Sequence, residues 1–143
     1  MKITADTNVL VRAVVMDDPA QGATAISVLL EAEAVAVTLV SLCELVWVLV
    51  RDYKRNAADV AAAVRHLIED ALVDRPAVEA GLAVLSRGGD FADGVIAFEG
   101  RRMGGTVFAS FDRNAVDLVK AMGGDARLLT KELGRVPPRR DPT

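Results

Sequence analysis

The chain lacks the residues that several common chemistries require. Its one cysteine, Cys43, cannot close an internal disulfide and has no CxxC partner for zinc, so nothing asks for an oxidising compartment and a cytoplasmic location is expected. Its one histidine, His66, falls mid-helix and far in sequence from the acidic motifs. That leaves no basis for a Ser-His-Asp triad or a histidine-based ribonuclease, and His66 is assigned to surface or packing. Aromatic residues make up only 4%, so stacking of bases on exposed rings is not the expected mode of recognition. Positive charge is not in excess: 17 Lys and Arg against 20 Asp and Glu give a net charge of -3, which argues against a protein that coats nucleic acid but not against an enzyme that needs acids. The most apolar stretch, residues 34–50, holds Ser41 and Glu44 in its middle and reads as a buried strand running into a buried helix, so no membrane span is expected. The opening MKITADTNVL carries Asp6 and Asn8 where an export signal needs an apolar run, and no such signal is expected.

What remains is a chain of 143 residues, 52% hydrophobic, of a size that buries a core without disulfides. Its mean hydropathy of +0.29 is high for a globular protein and fits a large apolar interface between subunits. A single domain over residues 1–135 is expected, followed by an Arg- and Pro-containing flexible tail, residues 136–143.

Hydrophobic periodicity alternates between strand and helix. Strands are predicted at Lys2–Ala5, Val35–Leu39, Thr106–Ser110 and Arg127–Thr130. Helices are predicted over Thr7–Val15, from Pro19 to about Glu33, from Leu42 to about Tyr53 behind a Ser41 cap, and from about Ala57 to Ala71. Three more are predicted: one from Pro76 to the Gly88-Gly89 pair, one from near Asp90 through Met103, and one from Asp112 through Met122. Strands separated by helices predict an α/β fold with a central parallel sheet flanked by helices, whose functional groups gather beyond the carboxyl ends of the strands.

Four acids fall at such places: Asp6 after the first strand, Glu44 past the second, Asp112 after the third, and Asp93 in the first turn of its helix. Each has an ordinary reading alone. Ser41-x-x-Glu44 matches a capping box, Asp93 and Asp112 suit helix starts, and Asp6 could end a strand or cap a helix. Together they are four like charges with no lysine or histidine supplied by the same motifs, and a hard divalent cation, magnesium or manganese, is the natural compensation. Such a cation polarises a phosphoryl oxygen and activates water without a histidine.

The motifs ADTNVLVR (5–12), SLCE (41–44), DFAD (90–93) and ASFDRNA (109–115) resemble those of a PIN-domain nuclease of the VapC toxin type. The resemblance implies a three-layer α/β/α fold and endonucleolytic cleavage of RNA with magnesium or manganese, the metal-binding and catalytic acids being Asp6, Glu44, Asp93 and Asp112. It implies that Asn8 helps order the site, as an amide beside a carboxylate can. Asp90 either caps its helix or binds outer-sphere water. A cognate antitoxin protein and a homodimer also follow from the resemblance alone. Asn114 stands where many relatives carry another acid, which favours one metal over two, and Gly94 is read as loosening the helix turn that holds Asp93. Arg12 and Arg113, each just after an acidic motif, are the best candidates to meet RNA, ahead of the tail residues Arg135, Arg139 and Arg140.

Two rivals stand beside this reading. A magnesium phosphatase with Asp6 as nucleophile lacks the second aspartate expected two residues on, where Asn8 stands. A non-catalytic module that only binds RNA or protein would not need four acids.

Overall fold

A computed structural model describes residues 1–130; the end of the expected domain, 131–135, and the expected tail, 136–143, lie outside the described residues. Eleven elements follow in the order β1 (Lys2–Thr4), α1 (Thr7–Val15), α2 (Pro19–Glu31), β2 (Ala34–Ala36), α3 (Leu39–Arg51), α4 (Ala57–Leu67), α5 (Arg75–Ser86), α6 (Phe91–Arg102), β3 (Phe108–Ser110), α7 (Arg113–Ala121) and β4 (Ala126–Leu128). The α/β class and the parallel pairing hold.

The sheet is shorter and more divided than the sequence predicts. Strand β1 pairs in parallel with β2, Lys2 opposite Ala34 and Thr4 opposite Ala36, while β3 pairs in parallel with β4, Phe108 opposite Ala126. Among the described residues these are two separate pairs, each joined through helices as parallel strands must be. Strand β2 stops at Ala36 because the chain then turns to a new partner: Ala36 bridges Leu72, and the Val37 amide donates to the Leu72 carbonyl at 3.0 Å.

That early exit moves the next helix. Helix α3 is capped by Thr38, whose hydroxyl accepts from the Ser41 amide at 3.2 Å, so the predicted Ser41 cap is displaced by three residues toward the N-terminus. Helix α4 ends at Leu67 rather than Ala71, and the Arg75 guanidinium closes the turn by donating to the carbonyls of Ile68, Glu69 and Ala71 at 2.8 to 3.1 Å. Side chains of Asp, Thr or Asn cap every described helix, satisfying amides that the first turn leaves without partners.

The core is built on α3, whose Leu42, Leu45, Val46 and Leu49 are buried at helical spacing against Leu10 and Val11 of α1, Val60 and Val64 of α4, Val78 and Leu82 of α5, and Phe91 and Val95 of α6. Helices α5 and α6 pack with unusual closeness. A Cβ on Gly94 would stand 2.5 Å from the Ala80 carbonyl and 2.8 Å from the Gly81 Cα, and one on Gly81 would stand 2.6 Å from the Phe91 ring. Gly94 therefore does not loosen its turn; its missing side chain lets α6 lie against α5 and holds Asp93 on a tightly packed helix. His66 is exposed, with Nδ1 3.9 Å from the Glu69 carboxylate. No described helix is long and apolar enough to cross a membrane.

Candidate active site

Asp6 leaves β1 where the Ala5 amide donates to the Ala36 carbonyl, and there it starts α1: its carbonyl accepts from Val9 and Leu10, and its Oδ1 accepts from the Thr7 amide at 2.9 Å. The same residue thus ends a strand and caps a helix. Glu44 lies in the second turn of α3, and with Thr38 as the cap it is too far along the helix to complete a capping box. Its Oε2 instead accepts from the Thr7 hydroxyl at 2.7 Å.

The remaining acids cluster at the starts of α6 and α7. Asp90 caps α6, its Oδ1 accepting from the Ala92 amide at 3.2 Å. Asp112 caps α7, its Oδ1 accepting from the Ala115 amide at 3.3 Å, and its own amide donates to Ser110 Oγ at 3.0 Å. Asp93 sits in the first turn of α6, half-buried, its amide donating to the Asp90 carbonyl at 3.1 Å but its carboxylate making neither hydrogen bond nor ion pair among the described residues. Its carboxyl is held above the ordinary carboxylate value, first by burial and then by the negative charges of Asp90 and Asp112.

A cavity of about 570 Å³ is lined by Asp6, Thr7, Asn8, Cys43, Glu44, Trp47, Val48, Asp90 and Ala92. Asp93 and Asp112 lie outside its lining. Asp6, Glu44 and Asp90 thus line the cavity, whereas Asp93, outside the lining, feels the charges of both Asp90 and Asp112. Cys43 records the same field. Its thiol is pushed up to about 11, mainly by burial, with Asp90, Glu99 and Glu44 adding to it.

Among the described residues no three His, Cys, Asp or Glu side chains stand close enough to hold a metal as they are arranged. Each cap carboxylate has an oxygen committed to a helix amide, and like charges favour separation. In kind, the donors suit a hard divalent cation. They are all carboxylates, and no ion pair among the described residues neutralises Asp6, Glu44, Asp90, Asp93 or Asp112.

The basic residues separate clearly. Arg12 is drawn away to Asp17 at 2.7 Å, and Asp17 also accepts from the Tyr53 hydroxyl at 2.6 Å. Arg113 opens α7 directly after Asp112, exposed and without a carboxylate partner among the described residues. Asn8 is among the residues that line the cavity. Thr7, Cys43 and Trp47 also line the cavity, and motif order alone does not single them out. Thr7 was visible as the middle of Asp-Thr-Asn, and Trp47 as the residue nearly one turn beyond Glu44, but only the packing of α1 on α3 brings them to one cavity.

No curated protein matches this sequence. A family model does: the PIN domain matches residues 3–121, from β1 to the last residue of α7, and so covers both groups of acids. The chain belongs to the PIN-domain family, a family of nucleases generally.

Proposed function

We propose that the chain is a magnesium- or manganese-dependent endoribonuclease, and the toxin of a toxin–antitoxin pair of the VapC type. The observation that carries the reading is the run of acids along Asp6, Glu44, Asp90, Asp93 and Asp112, unneutralised by any described cation and including a half-buried Asp93 whose carboxyl resists ionisation. Four of these acids are exposed, but Asp93 is half-buried with no ion pair among the described residues, and an acid kept so beside other acids fits a site shaped for a cation.

In this reading Asp6, Glu44, Asp93 and Asp112 would hold the metal, which would have to draw them closer than they stand here, and a bound metal would supply Lewis acidity toward an RNA phosphodiester and its attacking water. Thr7 fixes the Glu44 carboxylate through the 2.7 Å bond, which selects one orientation of a flexible side chain. Asp90, anchored by one oxygen to the α6 amide, offers the other to solvent ordered beside Asp93. Asn8 presents an amide to the same cavity, able to donate to a phosphate oxygen or accept from water. Arg113, placed by α7 next to Asp112, contacts the RNA backbone, whereas Arg12 contacts it only by leaving Asp17.

Partners follow from the same reading. The exposed apolar side chains Ile96, Met103 and Phe111 support burial in a homodimer or against an antitoxin. An antitoxin arginine entering the acidic cavity would inhibit by taking a cation's place. The expected location is the cytoplasm. The test is incubation of the purified chain with total cellular RNA and magnesium, followed by mapping of product ends. Internal cuts at discrete positions that vanish with chelator support the proposal; ends that retreat only from the termini, or no cleavage at all, contradict it.

A further inference from the structure

The single tryptophan stands on the wall of the acidic cavity. Trp47 lines the same space as Asp6, Asn8, Glu44 and Asp90, and it is 52% exposed on α3, a helix that also leaves Val40 and Val50 exposed. An indole left in water beside a cavity gains nothing from burial and loses apolar surface to solvent. It is not loose. The Arg51 guanidinium, four residues on along α3, lies over the ring at 5.0 Å from its centroid.

Arg51 makes no carboxylate contact among the described residues and directs its charge at the indole face, whereas Arg102, which lies over the Phe98 ring at 4.4 Å from its centroid, is bound to Asp74 as well. The acidic cavity thus has, on one side only, a flat aromatic surface with a positive charge fixed to it. Metal carboxylates explain how a phosphate is held, but they offer nothing to the base beside it.

We propose that Trp47 and Arg51 form a stacking platform for a nucleobase of the RNA, the base flanking the phosphate at the acids, an inference that rests on the nuclease reading above. The indole supplies, on the face the guanidinium does not cover, a π-surface that accepts any base, and the guanidinium attracts the adjoining backbone. The platform makes substrate binding depend on bases as well as phosphates. It also qualifies the expectation drawn from the low aromatic content: what counts is the position of one ring.

Because Trp47 is the only tryptophan, its emission reports on this ring alone. The experiment titrates the full chain, with calcium in place of magnesium to slow cleavage, with a mixed-sequence single-stranded RNA 12-mer and with an abasic ribose-phosphate 12-mer. Quenching by the first and not by the second is expected. In parallel, Trp47→Ala should raise KM for RNA cleavage roughly 5- to 100-fold with kcat little changed, Trp47→Phe should keep most of the affinity, and Arg51→Ala should fall between them. Equal quenching by both oligomers, or an unchanged KM in a folded Trp47→Ala, overturns the platform while leaving the nuclease intact. Cleavage that does not depend on Asp6 overturns the nuclease reading instead.

Discussion

The Thr7 hydroxyl donates to Glu44 Oε2 at 2.7 Å across 37 residues of sequence, tying the first residue of α1 to the second turn of α3. A hydrogen bond to a charged acceptor is stronger than a neutral one, and here it holds a long side chain that is otherwise solvent-exposed. Thr7→Val keeps the shape and removes the hydroxyl. The expected result is about a tenfold fall in kcat for RNA cleavage with little change in melting temperature, and recovery in Thr7→Ser. Equal activity of all three would show that Glu44 needs no such support.

Asp93 carries a cost in stability. Its carboxyl is raised by burial and by Asp90 and Asp112, so the folded protein binds this proton more tightly than the unfolded chain does. Ionised Asp93 therefore weakens the fold at neutral pH, and the weakness disappears as the pH falls through the raised value. Asp93→Asn should melt roughly 1–5 °C higher than the parent at pH 7, with the gap closing in acid, and should lose cleavage activity. A calorimetric scan across pH measures both ends of this trade.

Gly94 should be irreplaceable for a packing reason. The Cβ of Gly94→Ala would meet the Ala80 carbonyl and the Gly81 Cα, backbone atoms that cannot swing aside. Forcing α5 and α6 apart should cost about 1–3 kcal/mol in urea unfolding, where an ordinary exposed helix would gain from the same change. A stabilised Gly94→Ala would mean that the helices separate easily.

The Arg12–Asp17–Tyr53 tie gives a pH-dependent contribution. Asp17 is lowered from 3.8, foremost by the Tyr53 hydroxyl and then by Arg12 against some burial, so its contribution is present above that value and lost as the pH falls through the lowered one. Tyr53 is raised from 10.0, foremost by its bond to Asp17, so its contribution is present below that value and lost as the pH climbs through the raised one. Tyr53→Phe should therefore lower the urea midpoint at pH 7, and the difference should shrink toward both extremes. A difference that is constant with pH would assign it to packing.

Much of this was legible in the sequence, for identifiable reasons. Helix Thr7–Val15 has the bounds its pattern predicts because Asp6 and the apolar spacing of Leu10 and Val11 agree on one start and one face. The second strand and third helix fall elsewhere than their pattern predicts because Val35 to Leu39 is mostly apolar with three β-branched residues, and nothing local shows that Leu72 takes over the pairing at Ala36 and Val37. Two acceptable caps, Thr38 and Ser41, stand three residues apart, and only the strand's exit chooses between them. That choice removes the capping-box explanation for Glu44 and leaves Thr7 as its partner. Motif order singles out the acids, but which of them line the cavity depends on side-chain directions that spacing does not encode. Arg12 sits beside an acidic motif in sequence, yet a closer acid, Asp17, claims it.

The decisive measurement is the cleavage rate of one defined RNA oligonucleotide as magnesium is raised, for the parent chain and for Asp6→Asn. A rate that rises and saturates with magnesium in the parent, vanishes with chelator, and falls at least about 100-fold in a folded Asp6→Asn is expected. A rate that survives both the chelator and the substitution would contradict a carboxylate-held metal as the source of cleavage.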